Sequence, residues 1–165
     1  MTHEERPIQE RIAELFGRSS YFDPREGAGG TCPARIRHSD VAAALGHVSR
    51  ECGRPAALVL ETQYGSTLTH ERALSRAWES HDAPDRRDQA AVVLSRFAGA
   101  LAIRMLAGSR YSTSHYAEYA YLLFSRREAV QRRVAEASAW LQGQHDTGLP
   151  VFRETLRERL RERVY

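Results

Sequence analysis

The stretch LLFSRREAVQRRVAEASAWL, residues 122–141, decides the fold class of this chain. In its second half, apolar residues recur at steps of four, three and four, a spacing typical of one face of a helix; they are Val130, Val134, Ala137 and Leu141. Ser125 and Glu128 have the spacing of a capping box, which predicts that this helix begins near Ser125. The segment therefore predicts an amphipathic helix.

A second helix is predicted immediately before this one. Ser112, Thr113 and Ser114 precede the run HYAEYAYLL, and hydroxyl side chains favour the N-cap position. The periodicity breaks at Phe124, so only a few residues separate the two helices. Such a short connection makes the helices neighbours, and the small side chain of Ala120 allows the close crossing of a helix-turn-helix.

The helical pattern extends over most of the remaining chain. Helices are predicted over residues 4–16, 38–52, 55–65, 67–81 and 85–107. No segment shows strand alternation at hairpin spacing. The long apolar run in the last of these helices contains Arg96 and Arg104, which disfavour a membrane span and indicate a buried helix. We expect an all-α, multi-helix globular domain.

The predicted organisation has three parts. Residues 1–37 hold an N-terminal helix and a flexible arm rich in glycine and proline, which begins at Gly17. Residues 38–145 form the helical body, with the helix-turn-helix at about 112–141. Residues 146–165 form a C-terminal amphipathic helix with apolar residues at steps of four. Its narrow apolar stripe suits docking onto a partner helix or onto its own domain, and its arginines leave an RNA-binding helix as an alternative.

The composition limits the setting and the partners. The 165 residues carry a formal net charge of only +3, and all 24 basic residues are arginine. Arginine suits phosphates, base edges and carboxylates alike. With only Cys32 and Cys52 and a charged start, the chain indicates neither secretion nor a disulfide framework. A cytoplasmic protein without a membrane partner is expected.

Metal binding and catalysis find little support. Cys32, His38, His47 and Cys52 are zinc-ligand types, but their spacing matches no common finger. His70 with Glu71, or the acidic residues of SHDAPDRRD, would suit a metal or acid–base site, yet helix capping explains the latter. Motifs for phosphate loops, nucleophile elbows or zinc proteases are absent. We therefore expect no enzyme activity, no metal and no cofactor.

The arginines of the opening stretch are the strongest candidates for binding. Arg126 and Arg127 lie where helix-turn-helix proteins contact bases and phosphates. Gln131 and Arg132 lie outside the apolar stripe, and Arg133 flanks it. These five residues are the predicted DNA contacts. Helical hairpins with arginine-rich outer faces are also common in all-α proteins, which leaves a purely solvated face as the alternative.

A family resemblance adds to this prediction. The sequence resembles the region-4-like helix-turn-helix of sigma factors, a module also present in Q-type antitermination proteins of phages, through these residues: Glu118, Tyr119, Ala120, Leu123, Ala129, Val130, Arg133, Ala137 and Leu141. It looks most like the Q-type branch without a zinc finger. Phe124 replaces the glycine that the family often has in the turn, and Arg126 replaces a Thr or Ser, so a different turn geometry is expected.

The resemblance implies a mechanism. Q-type proteins bind double-stranded DNA overlapping a late promoter, load onto paused RNA polymerase that still holds sigma, and suppress termination, with nascent RNA as a further contact. The 17–37 arm is a candidate for contacting polymerase or RNA. Two alternatives stay open: a promoter-binding activator or repressor with the same helices, and a helical phage protein that binds and inhibits a host protein.

Overall fold

The structure, a computed structural model, describes residues 6–18 and 35–164. Within those ranges the chain is helical and has no strand, so the prediction of an all-α protein is confirmed. The helices are α1 (Ile8–Gly17), α2 (His38–Glu51), α3 (Arg54–Gly65), α4 (Glu71–Asp82), α5 (Gln89–Leu106), α6 (Thr113–Leu122) and α7 (Arg127–Val164). The predicted arm lies mostly in residues 19–34, outside the described residues.

Helix α7 is the element against which most of the others pack. It has 38 residues, which corresponds to a length of roughly 57 Å. Its first part packs with α5 and α6, its middle with α3, α4 and α5, and its last part with α1, α2 and α3. The described helices therefore form three apolar clusters that follow one another along a single long helix.

The buried face of α7 continues without a gap along the helix. After Leu141 it passes through His145 and Gly148 before reaching the next apolar side chains; the later buried residues are Phe152, Leu156 and Leu160. Gly148 lies in close contact with α2 and α3, since a Cβ atom there would come within 3.2 Å of Val48 and 3.3 Å of Ala56. Small size at this position allows the three helices to approach one another.

The predicted boundary between residues 145 and 146 falls inside α7. The prediction of a separate C-terminal helix over residues 146–165 is therefore corrected, because one helix runs from Arg127 to Val164. The helix continues past Pro150, whose ring is accommodated on the exposed side. Phe152, Leu156 and Leu160 pack in the core with α1, α2 and α3, so the C-terminal stripe docks onto its own domain. An ion pair between Arg163 and the buried Asp40 of α2 joins the end of α7 to this core.

Helix α5 is, among the described residues, the helix long and apolar enough to cross a membrane by length and composition. It packs between α4 and α7, and Trp78 lies against Gly99, with its Nε1–H donating to the Ser95 carbonyl at 3.0 Å. Arg104 forms an ion pair with Glu71 on the outer side. One side of α5 is therefore buried against neighbouring helices, and its other side carries an ion pair.

Candidate nucleic-acid interface

The candidate interface begins with α6, whose start agrees with the sequence prediction. Ser112 is the N-cap residue, and its backbone N–H donates to Nδ1 of His115 at 3.0 Å. The hydroxyls of Ser112 and Ser114 lie 2.7 Å apart. The predicted run of hydroxyl residues thus marks the helix start, with Ser112 in the N-cap position that such residues favour.

A tight turn at Phe124 joins α6 to α7. The Ser125 N–H donates to the Ala120 carbonyl at 2.9 Å, and the Phe124 N–H donates to the Tyr121 carbonyl at 3.2 Å. These two bonds form a Schellman motif, which satisfies carbonyls left free at the end of a helix. Phe124 has a φ of +47°, the left-handed conformation that glycine usually provides. The expected difference in turn geometry is wrong, because Phe124 itself adopts that conformation.

Helix α7 begins slightly later than the Ser125–Glu128 pair predicts. The Arg126 carbonyl accepts from the N–H groups of Ala129 and Val130 at 3.0 and 3.1 Å, which places Arg126 at the N-cap. A hydrogen bond from its own backbone N–H, and then the nearby Arg127, lower the pKa of Glu128. The predicted capping box is therefore corrected: the helix starts at Arg127, and Glu128 interacts locally.

The crossing of α6 and α7 is close and apolar. Ala120, Val130 and Val134 are buried together with Ala98 and Leu101 of α5. Because Ala120 has no side chain beyond Cβ, the α6 backbone can approach α7 at this point. The predicted stripe of α7 is confirmed, since Val130, Val134, Ala137 and Leu141 are all buried. Packing therefore determines which side of α7 faces outward.

Three of the five predicted contact residues lie on that outward side. Arg126, Arg127 and Arg132 are exposed, and Gln131 is half-buried beside them. A guanidinium nitrogen of Arg127 lies 3.3 Å from a carboxylate oxygen of Glu128, whose side chain is mostly exposed. This ion pair is therefore weak, and another anion can replace the carboxylate. The first turn of α7 thus presents the guanidinium groups of Arg126 and Arg127 at the N-terminal, positive end of the helix, a position that favours anions.

Arg133 has an intramolecular role that the sequence did not predict. Its guanidinium donates to Asp82 at 2.8 Å and to Glu136 at 2.6 Å, and only 25% of its side chain is exposed. The hydrogen bond to Glu136 and the charge of Asp82 raise the pKa of Arg133. Asp82, 8% exposed, also accepts from the Ser95 hydroxyl at 2.5 Å. Arg133 therefore joins α7 to α4 and α5, and Asp82 lies too far away in the sequence to have indicated this.

The residues of the alternative metal and acid–base sites do not come together in the structure. Among the described residues, no group of three or more potential ligands could hold a metal ion, while Cys32 lies outside them. Cys52 donates instead to the Thr147 carbonyl, at 3.6 Å. His70 pairs with Glu61 rather than with Glu71.

The acidic turn before α5 caps that helix, as predicted from the sequence. The Asp88 carboxylate accepts from the Ala91 N–H at 3.1 Å and caps α5, and Asp85 accepts from the Arg87 N–H at 3.0 Å. Local backbone hydrogen bonds thus account for these two carboxylates.

A polar network between α3 and α7 was not predicted from the sequence. The Tyr64 hydroxyl and Nε2 of His145 lie 2.7 Å apart, and Nδ1 of His145 lies 2.9 Å from Asp146. Gln142 also donates to Asp146, at 2.7 Å. Burial raises the pKa of Tyr64, and the hydrogen bond from His145 lowers the pKa of Asp146. The network lies away from the α6–α7 turn and joins the halves of the core.

An exposed apolar surface at the turn was also missed. Tyr121 is 81% exposed, Leu122 is 61% exposed and Phe124 is fully exposed. From the sequence, Phe124 was predicted to break the periodicity and to lie in the turn, and not to belong to an exposed surface. The position of Phe124 shortly before Arg126 and Arg127 in the sequence could have indicated this exposed surface.

No protein-family model, no curated protein and no solved structure matches this chain. The geometry and charge of the residues around the α6–α7 turn are therefore the structural observations that bear on DNA binding.

Proposed function

We propose that this chain binds double-stranded DNA through a helix-turn-helix formed by α6 and the start of α7, and that it acts as a transcription antitermination factor. The observation that carries the proposal is the Schellman turn at Phe124, after which α7 opens directly with exposed arginines. The buried crossing at Ala120 and Val130 holds the two helices together beneath that surface.

The spacing of the arginines suits a duplex. Arg127 and Arg132 are separated by about 7.5 Å along the helix axis, so both lie in the first two turns of α7, the part of a recognition helix that contacts base edges in the major groove. Arg126 lies at the positive end of the helix dipole, where phosphate oxygens bind favourably. Gln131 lies between these groups and has the amide that reads adenine in the major groove. Arg133 is left out of the proposed contacts because Asp82 and Glu136 already engage it.

The antitermination role comes from the resemblance to Q-type proteins. That resemblance implies a cytoplasmic protein that binds DNA overlapping a late promoter and loads onto paused RNA polymerase with sigma. A simple promoter-binding regulator would use the same DNA surface but would act only at initiation. Readthrough of a terminator placed far downstream separates the two activities, since only an antitermination factor changes it.

The DNA test compares two triple variants with equal loss of charge. In the first, Arg126, Arg127 and Arg132 are changed to alanine; in the matched control, the exposed Arg153, Arg159 and Arg161 of the second half of α7 are changed. Affinity is measured on duplexes that tile the DNA flanking the chain's own gene, over a range of salt concentrations.

We expect the first variant to bind the preferred duplex at least about 100-fold more weakly, with the salt slope reduced by about 2 to 3. The control should retain both the affinity and the slope of the unaltered chain. Equal behaviour of the two variants, or no duplex binding by the unaltered chain, would remove the proposal. Loss of terminator readthrough in the first variant alone would support the antitermination role.

A further inference from the structure

Phe124 contributes nothing to the packing of the fold. Its side chain is fully exposed, and its φ of +47° is left-handed, a conformation that glycine adopts more readily than a residue with a bulky side chain; the small residues Ser66 and Ala83 adopt it at the ends of α3 and α4. A glycine in this position would make the same two turn hydrogen bonds without the strain. A strained and fully exposed aromatic ring points to a contact outside the fold.

Two neighbours extend this ring into a surface. Tyr121 and Leu122 are mostly exposed, and together with Phe124 they form what we call the turn surface. Elsewhere in the described residues, the exposed large apolar side chains are separate aliphatic ones: Leu15, Leu68 and Val93. The exposed aromatic rings of the described residues are thus concentrated at the turn, within six residues of Arg126 and Arg127 in the sequence.

We propose that the turn surface binds unpaired nucleobases, from melted DNA or from RNA, by stacking on Tyr121 and Phe124. This inference rests on the proposed function, because Arg126 and Arg127 would hold the adjoining phosphates. A single strand presents base faces and phosphates in alternation, and the turn presents aromatic rings beside guanidinium groups. A duplex covers its base faces, so it offers these rings no stacking partner.

Charge favours this occupant over others. A second copy of the chain would bring the same arginines against each other, which is repulsive. A protein partner would need carboxylates arranged around an apolar contact, whereas a nucleic-acid strand supplies anionic groups and flat apolar faces in one polymer. The stacking of Arg side chains on bases would add to the same contact.

The test uses the full chain and three labelled probes: an oligothymidylate and an oligouridylate of about 15 nucleotides, and the preferred duplex from the promoter experiment. The variants are Phe124→Gly and Tyr121→Ala, and Val93→Ala, at an exposed site on α5, is the matched control. Phe124→Gly removes the ring and relieves the backbone, so its melting temperature should rise by about 2–4 °C. A loss of binding in this variant is therefore not a loss of folding.

We expect Phe124→Gly and Tyr121→Ala each to weaken single-strand binding by about 10-fold or more and duplex binding by less than about 2-fold. Preference for one of the two single strands identifies melted DNA or RNA as the source. Unchanged single-strand affinity in both variants overturns the inference, and so does an equal loss on duplex and single strands. Unchanged single-strand affinity is also the result expected if the turn surface contacts a protein instead.

The failure of this inference differs from that of the proposed function. If the unaltered chain binds the duplex and does not bind single strands, only the stacking surface is rejected. If it binds neither probe class, DNA binding through α7 is rejected as well.

Discussion

Replacement of Arg133 by alanine tests whether this residue holds the fold or contacts DNA. The structure predicts that Arg133→Ala leaves the Asp82 carboxylate, 8% exposed, without its guanidinium partner. Removing one member of a fully buried ion pair typically destabilises a protein by about 3–5 kcal/mol. The loss here is smaller, because the Ser95 hydroxyl still donates to Asp82 at 2.5 Å and water reaches the site of a side chain that was 25% exposed.

We therefore expect Arg133→Ala to lower the free energy of unfolding by about 2 kcal/mol. For a chain of 165 residues, this corresponds to a fall in melting temperature of about 4–8 °C. Asp82→Ala should have a comparable effect, since Arg133 keeps Glu136 but the buried Ser95 hydroxyl loses its acceptor. The double variant should be less destabilised than the sum of the two single variants, by about 1 kcal/mol or more.

The assay is urea unfolding followed by far-ultraviolet circular dichroism, with duplex affinity measured well below the melting temperature. Arg133→Ala should change that affinity by less than about 2-fold, whereas Arg132→Ala, its exposed neighbour, should weaken binding and leave stability unchanged. A variant at Arg133 that unfolds like the unaltered chain but binds DNA about tenfold more weakly would refute the reasoning. It would mean that the link to Asp82 does not form and that Arg133 faces the duplex.

Further predictions concern the core and its pH dependence. Gly99→Ala should destabilise the fold by about 1–3 kcal/mol in thermal unfolding, because the new Cβ would lie 2.4 Å from the Trp78 ring. In contrast, Gly143→Ala meets nothing within 4 Å and should stabilise α7 by about 0.5–1 kcal/mol. Pro150→Ala should raise the melting temperature, since it restores a helix hydrogen bond in α7; an unchanged or lower value would indicate a break there. In an NMR titration of the carboxyl groups, Asp146 should have a folded-state pKa below its ordinary value of 3.8. The stability that Asp146 contributes is therefore present above pH 3.8 and is lost as the pH falls through the lower, folded-state pKa.

Local signals in the sequence were sufficient for the helical class and for most helix ends. The period of the apolar residues in α7, the hydroxyl run before α6 and Pro55 at the start of α3 all act within a few residues. The exposed positions of Arg126, Arg127 and Arg132 follow from the same periodicity, because packing of the opposite face leaves them outside.

Only the tertiary structure decided what joins distant segments. The continuity of α7 could not be predicted from the sequence, since His145 and Gly148 are not large apolar residues and a proline such as Pro150 usually ends a helix. His145 fits in the buried face because Tyr64 hydrogen-bonds to it, and Gly148 fits because neighbouring helices approach closely there. The pairing of Arg133 with Asp82 likewise depends on how α4 lies against α7. Sequence periodicity therefore determines which face of a helix is buried, while the partner of each polar side chain depends on which helices meet in space.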